Sequence, residues 1–444
     1  MGDIRRRASE SDLGRSRSRN LSVPEDIGTL RKSKTLTKFK KENRHEGAKA
    51  KSDKAKSKVN FGICFDIDGV LARGTVALPT TRKAFSMLTD NKGAFRIPTV
   101  FVSNSLNKNA DKAAQISGWT GVEILPSQMI QCQGPLELFT EYHHKFCLIL
   151  GQGKIEEIAS ELGFTNFCVI DEIAEAYPLL DVVDHDNRKR NAERIVIEKD
   201  FPRIEAIVML GEPKRWDQAL QLLIDLLVTD GKPDKAPDNY PEVHLPVLAC
   251  NMDLEFMDLA CIPRFGHGAF LACLECLYKK VTGHKLEYTA MIGKPSEITF
   301  RFAEHCLARE AKRLGINNHL KRMYLVGDTP EVDIVGSNLY QRFIDRLTRR
   351  RSSHEVLGLD INLNVSLNMY PENEEVDPEL PECRNIPLDS ALSPQTVKEI
   401  CGVLVCTGVY KPGRDNLETM GEDKRFKGHR DFPCGSMTLN LLLA

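Results

Sequence analysis

The sequence predicts an α/β protein, a Rossmann-like parallel-sheet core with an inserted α/β cap domain, and three observations carry that expectation. First, short apolar runs end abruptly in polar residues: "GICF" before Asp66, "TVFV" before Ser103 and Asn104, "MYLV" before Gly327 and Asp328, and "VLVC" before Thr407. Continuous rather than alternating runs are what strands need when helices cover both faces of a parallel sheet. Second, helical patterns separate these runs, and in such sheets ligands gather beyond the carboxyl ends of the strands. The polar residues after the runs are therefore expected at one sheet edge although they lie far apart in the chain. Third, the long stretch between "TVFVSN" and "IGKPSEITF" alternates on its own account. It holds "KFCLIL", the helical "KIEEIASELGF", "FCVI", "AIVMLGEP" and the helical "WDQALQLLIDLL", enough for a second α/β unit.

At 444 residues the chain exceeds the usual single-domain size, and its 41% hydrophobic and 28% charged residues are ordinary for a globular protein. The expected order is a basic disordered tail (1–59), the first part of the core (60–123), the cap (124–262), the second part of the core (263–340), a charged flexible insertion (341–399), and the core end with a C-terminal tail (400–444). The longest apolar run, "LQLLIDLLV", is broken by Asp225, so no transmembrane span is expected. The insertion is read from "RLTRRRSSHE" and "YPENEEVDPELPE", where charge and proline replace the apolar period.

The net charge of −1 hides an asymmetry, because residues 1–60 hold 18 Lys plus Arg against 8 Asp plus Glu. That basic segment is rich in Ser and poor in aromatics, which predicts disorder rather than a folded nucleic-acid domain, and no nucleic-acid partner is expected. "RRRAS" and "RNLSVP" place Arg three residues before Ser9 and Ser22, a spacing that basophilic kinases favour. A phosphate at either site suits a phosphoserine-binding adaptor as partner. The segment is Arg- and Ser-rich like a mitochondrial leader, yet Asp3, Glu10 and Asp12 break the acid-poor pattern of one, so a targeting role stays open. The 13 cysteines are odd in number and many lie inside apolar runs, which fits buried thiols in a reducing compartment. Cys273 and Cys276 in "CLEC" have metal-ligand spacing but no second pair, so they are read as core packing. His267 in "RFGHGAF" is read as a turn or core residue.

The stretch "FGICFDIDGVLARG" sets Asp66 and Asp68 one residue apart at a strand end, with Gly69 permitting the chain to turn. If Asp66, Asp68, Asp328 and Asp333 meet at one edge, each close carboxylate pair repels by about 4 kcal/mol at a separation of ~4 Å and a surface-like dielectric. A hard divalent cation removes that repulsion, and oxygen ligation by few protein groups and several waters suits Mg²⁺.

"FDIDGVL", "VFVSN", "GKP" and "GDTPEVD" stand in the order of the four motifs of the haloacid dehalogenase-like hydrolase superfamily. With "GQGKIEEIASELGF", "LACNMDL" and "FGHGAFLACLECLYKKVTGHKLEY", the chain resembles the subclass with a large α/β cap (NagD-like) over residues 60–340 and 400–432. The resemblance implies a Mg²⁺-dependent phosphatase in which Asp66 is the nucleophile and Asp68 the general acid and base. It implies Mg²⁺ ligation by the carboxylates of Asp66 and Asp328 and the backbone carbonyl of Asp68, with Asp333 supporting the metal's water shell. Ser103, Asn104 and Lys294 are then the phosphate-binding residues. The second aspartate, Asp68, sides with phosphatases and phosphomutases against dehalogenases. A large cap favours a small phosphorylated metabolite, because closure excludes bulky substrates. Within the subclass the chain is similar to a group associated with mitochondria, some fungal members of which look fused to a cardiolipin-synthase domain. That implies a mitochondrial location and a link to glycerophospholipid metabolism, with the cytoplasm as the alternative. A phosphomutase, or a catalytically weak binding scaffold with a phospho-regulated tail, are the competing readings, and a homo-oligomer stays open. Thr329 departs from the Asn that relatives often carry, and the ending "MTLNLLLA" departs from the group's further helix.

Overall fold

A computed structural model describes residues 59–181, 201–256, 262, 264–357 and 392–410. Ser9, Ser22, the rest of the basic tail and the C-terminal segment from 411 onward lie outside the described residues.

The core sheet has the order β14–β13–β1–β4–β5 and is parallel throughout. Its strands are β1 (Phe61–Phe65), β4 (Thr99–Ser103), β5 (Met129–Gln131), β13 (Arg322–Gly327) and β14 (Glu399–Leu404), while β2 (Ala72–Arg73) and β3 (Val76–Ala77) form a small hairpin after β1. Side chains alternate across the sheet, and both faces are dry. Ile63, Phe65 and Phe101 pack with Phe85 and Leu88 of α1 (Thr81–Leu88) and Ile116 of α2 (Asn109–Thr120). Cys64, Val100, Val102 and Leu325 pack on the opposite face with Phe300 and Leu307 of the helix that follows Lys294. Burial on both faces is the physical reason the strands read as unbroken apolar runs.

A second parallel sheet has the order β12–β9–β8–β6–β7. It comprises β6 (Cys147–Leu150), β7 (Phe167–Val169), β8 (Ala206–Met209), β9 (Val247–Cys250) and β12 (Ala290–Ile292), and a short hairpin of β10 (Glu255–Phe256) and β11 (Arg264–Phe265) follows β9. Helices α3 (Ile155–Glu161), α4 (Ile170–Ala176), α5 (Trp216–Val228) and α6 (His267–Thr282) complete this cap. Leu222, Leu223, Leu226 and Leu227 of α5 and Phe270 and Leu274 of α6 cover one sheet face. The i, i+1, i+4, i+5 spacing of those leucines is a helix stripe, and it buries against Leu148, Ile207 and Met209.

Three expected boundaries move. The first part of the core does not end at 123, because β5 pairs with β4 and extends the core sheet to Gln131. The cap does not end at 262, because α6 packs in the cap and Ala290, Met291 and Ile292 of β12 pair with Leu248, Ala249 and Cys250 of β9. The second part of the core therefore starts at Gly293. Strands of three residues carry no period of their own, so only tertiary pairing assigns them. The expected insertion at 341–399 also starts later, since α7 (Glu297–Arg313) is followed, after β13, by α8 (Val335–Leu357). Tyr340, Phe343, Ile344 and Leu347 are buried at helical spacing, and Arg346 reaches Glu297 of α7 at 2.8 Å. The arginine-rich surface of that helix masks its apolar face in the sequence. Residues 358–391 lie outside the described residues.

The chain re-enters the core through a polar clamp on α7. One carboxylate oxygen of the buried Glu304 accepts from the N–H groups of Thr396 (2.7 Å) and Val397 (2.9 Å), and the other accepts from the Tyr340 hydroxyl. Glu304→Ala leaves the Thr396 and Val397 N–H groups and the Tyr340 hydroxyl without this partner and is expected to lower the unfolding free energy by about 3 kcal/mol. Urea denaturation reads this directly, and a loss below about 1 kcal/mol would show that the clamp contributes little.

Candidate functional site

Strands β14, β13, β1 and β4 are neighbours and parallel, so the residues after them share one edge. Asp66 follows β1, and its N–H donates to the Val326 carbonyl at 2.8 Å, carrying the pairing one residue past the strand. Asp328 follows β13, Ser103 ends β4, and Asp333 lies in the single π-turn Pro330–Ile334 that leads into α8. Lys294 arrives from the loop between β12 and α7.

The centre of the site is an ion cluster. Lys294 Nζ lies 2.8 Å from Asp66 Oδ1 and 2.7 Å from Asp333 Oδ1, with all three residues buried. Asp333 Oδ2 accepts from the N–H groups of Asp328 and Thr329, each at 3.1 Å, so both its oxygens are engaged. Asp66, Asp328 and Asp333 each present a carboxylate oxygen, and these atoms lie within 4.8 Å of one another. One ammonium does not neutralise three such acids. Burial, followed by the Asp333 and Asp328 charges, holds the Asp66 carboxyl well above its ordinary value against the pull of Lys294. Burial and then Asp333 push Asp328 up to about 6. Burial works against the Lys294 ammonium, yet Asp333 and Asp66 outweigh it and the lysine ends above its ordinary value. The donor set therefore fits a hard divalent cation: all oxygen, enclosed and short of positive charge. Asp68 is exposed on the turn after β1 and stands apart from the carboxylate cluster. Thr329, the departure in the last motif, donates its hydroxyl to Asp328 Oδ1 at 3.2 Å.

Ser103 and Asn104 sit beside this cluster with different commitments. Ser103 Oγ accepts from the Ser105 N–H (3.1 Å) and pairs with Ser105 Oγ (2.9 Å), which in turn donates to Gln131 Oε1. The Asn104 side chain is spent on the protein: Oδ1 accepts from the Lys294 N–H at 2.7 Å, and Nδ2 donates to the Lys294 carbonyl and to Asp253 Oδ1, each at 2.9 Å. The sequence reading grouped Asn104 with the phosphate-binding residues as a shaper of the loop, and here its amide holds the lysine backbone.

Three contributors escaped the sequence reading. Ser105 and Gln131 extend the Ser103 hydroxyl into a chain. The segment after β14 folds over Asp328: Val409 donates its N–H to Asp328 Oδ2 at 2.6 Å, and Thr407 donates its hydroxyl to the Gly69 carbonyl at 2.6 Å. Gly408 and Gly69 (φ 82°) make this approach feasible, since a Cβ at Gly408 would lie 1.7 Å from Asp328 Oδ2 and one at Gly69 would lie 2.2 Å from it. The signal was the "TG" after "VLVC". The third is Asp253, delivered by the cap. Asn251 before it takes the left-handed conformation (φ 61°) that Asn tolerates, and its side chain accepts from the Asp253 N–H.

His267 opens α6 as a core residue. It is fully buried, its Nδ1 meets the Cys250 carbonyl, and burial pushes its pKa down to about 4. Cys273 and Cys276 are exposed on the same helix. Among the described residues the only cluster able to hold a metal is that of the three aspartates.

The family described as haloacid dehalogenase-like hydrolase matches residues 63–165, which include Asp66, Asp68, Ser103 and Asn104. The chain is similar to a cardiolipin synthase (CMP-forming)/mitochondrial hydrolase fusion protein of Schizosaccharomyces pombe, 31% identical over 291 residues that cover 63% of this chain and 47% of that protein. It thus spans about half the length of that relative. It is also similar to a mitochondrial hydrolase of Saccharomyces cerevisiae, 25% identical over 63% of this chain and 84% of that protein. Among solved structures, a possible sugar phosphatase from Cytophaga hutchinsonii superposes with a TM-score of 0.42 at 18% identity, covering 64% of this chain and 82% of that one. The ordered motifs and the aspartate–lysine cluster agree with the family match, and over residues 63–165 the chain is similar to the haloacid dehalogenase-like hydrolases.

Proposed function

We propose that the protein is a phosphatase of a small phosphorylated metabolite that works through an aspartyl-phosphate on Asp66. The observation that carries this reading is the single ammonium of Lys294 shared by Asp66 and Asp333 beside Asp328. Lys294 holds one Asp66 oxygen in place, which fixes the nucleophile and brings positive charge to where the phosphoryl group sits. An Asp66 oxygen attacks phosphorus, the bond from phosphorus to the leaving oxygen breaks, and Asp68 gives that oxygen its proton. Water then attacks phosphorus and passes a proton to Asp68, the bond to Asp66 breaks, and inorganic phosphate leaves with both aspartates restored. Asp68 is exposed on a turn, so it can reach a leaving group in the cleft and solvent water in turn. Ser103 donates to the phosphoryl oxygens.

Asp66 and Asp328 are the residues that would hold a divalent cation, with Asp68 contributing its carbonyl and Asp333 supporting. Such a cation, Mg²⁺ by its preference for few carboxylates and several waters, supplies charge neutralisation for the acids and the phosphoryl group. Protein stripped with a chelator is expected to lose hydrolysis of an aryl phosphate and to regain it when Mg²⁺ is restored. Equal turnover before and after stripping would overturn the metal-dependent reading.

The names of the two yeast relatives support a mitochondrial location and a role near glycerophospholipid metabolism. No helix among the described residues is long and apolar enough to cross a membrane. Fractionation of cells expressing the full chain tests the location, and recovery only in the cytosol would contradict it.

A further inference from the structure

The cap sends one carboxylate into the core site. Asp253 follows β9 in a turn held from both sides: its N–H donates to Asn251 Oδ1, and its carbonyl accepts from the Gly268 N–H at the start of α6. Gly266 and Gly268 allow this turn to lie against the helix start, because a Cβ at either would come within 2.3 Å of a turn carbonyl. The carboxylate is thereby aimed at Asn104, which fixes one of its oxygens at 2.9 Å and grips the backbone of Lys294 with the rest of its amide. The residue is half-buried at the junction of cap and core, where it meets Asn104, and is not sealed in the interior. Burial still pushes its carboxyl up to about 6, with Lys294 and Asn104 opposing and the Asp333 and Asp328 charges adding to the rise.

A second cap acid reinforces it. Cys132 follows β5 at the core edge, with its Sγ 3.7 Å from the Ser105 carbonyl and 3.9 Å from the Leu210 carbonyl at the end of β8. Burial, then Asp253, and more weakly Glu212 of the loop after β8, all push that thiol up. Two cap carboxylates thus bear on the same junction of core and cap. The cations of that loop are turned outward: Lys214 is exposed, and Arg215 is exposed and 3.7 Å from Asp217.

We propose that Asp253 is a specificity-determining residue of this cleft, selecting phosphate esters whose leaving group carries a hydroxyl or ammonium donor and disfavouring leaving groups that carry a carboxylate. The inference rests on the phosphatase reading above. A carboxylate held by one oxygen offers the other to a donor, while a second anion brought beside it in a low-dielectric cleft is repelled. Lys294 is already committed to Asp66 and Asp333, so it does not compensate a leaving-group anion.

The test measures kcat/KM of the full chain with Mg²⁺ for glycerol phosphate, ethanolamine phosphate, phosphoglycolate and p-nitrophenyl phosphate. Glycerol phosphate and ethanolamine phosphate are expected to exceed phosphoglycolate by about tenfold or more. In Asp253→Asn, whose amide oxygen still accepts from Asn104, that ratio is expected to shrink to within about threefold, and likewise in Asp253→Ala. Ratios between substrates cancel any general loss of activity, and the wild-type order stands whether or not a variant folds. A wild-type preference for phosphoglycolate, or a ratio unchanged in both folded variants, overturns the proposal while aryl phosphate turnover leaves the phosphatase reading intact. Absence of all turnover, aryl phosphate included, overturns the phosphatase reading and this one with it.

Discussion

Asp66→Asn is expected to lower kcat/KM for an aryl phosphate by at least about 10⁴-fold, the scale on which removal of a covalent nucleophile acts. The same change is expected to leave the metal-free protein as stable as wild type or more so at neutral pH. The two effects have one cause. Asp66 is buried between Asp328 and Asp333 with a single lysine partner, and burial and its acidic neighbours hold its pKa above the ordinary value. A carboxyl with a folded-state pKa above that of the unfolded chain contributes stability that is complete below the unfolded value and is lost as pH rises through the folded one. For Asp328 the window runs from about 4 up to the folded value of about 6. Metal-free wild type should therefore lose stability across that window relative to a variant in which one of these acids is neutral. Thermal melts between pH 4 and 8, paired with aryl phosphate assays, check both halves. Activity in Asp66→Asn within tenfold of wild type would exclude Asp66 as nucleophile.

Lys294→Ala is expected to cost about 3–5 kcal/mol of folding stability in the absence of metal, because it leaves Asp66 and Asp333 as enclosed charges without a cation. Lys294 is 3% exposed and Asp333 0%, so water cannot replace the ammonium. On the proposed mechanism activity should fall as well, since Asp66 loses the anchor that would hold it for attack and the phosphoryl group its positive partner. Mg²⁺ should recover part of the stability, because a divalent cation relieves the same repulsion, but it should not restore the rate. Urea titrations with and without Mg²⁺ measure this. A loss below about 1 kcal/mol in the metal-free protein would mean that the lysine does not hold the cluster together.

The core was legible because its strands bury both faces and so leave long apolar runs whose last residues are polar. Asp66, Ser103 and Asp328 stand at those ends, and the topology brings them to one edge from opposite ends of the chain. Short strands were not legible: "MIQ" and "AMI" are three-residue pieces whose sheet is chosen by pairing alone, which displaced both cap boundaries. Charge hid the length of α8, since the arginines that mark it as a surface segment share the helix with Tyr340, Phe343 and Leu347. Within the site, residue types announced the acids and the lysine. They did not announce Asn104 as a clasp on the Lys294 backbone or Val409 as a donor to Asp328, because a backbone N–H has no letter of its own. Asp253 was visible in "LACNMDL", but only the folded cap shows that its carboxylate faces the core.

The central claim is covalent attack by Asp66, and Asp68→Asn provides the means to see it. Nitrophenolate is a good leaving group and needs little help from a general acid, whereas water attacking an aspartyl-phosphate needs a base. The variant should therefore form the intermediate from p-nitrophenyl phosphate and release it slowly. Rapid acid quench with phosphorus-labelled substrate, followed by peptide mapping, is predicted to find label near one equivalent on the peptide containing Asp66, with a matching burst of nitrophenol. Steady turnover of the variant with no protein-bound phosphate, or label on a peptide without Asp66, would contradict the account.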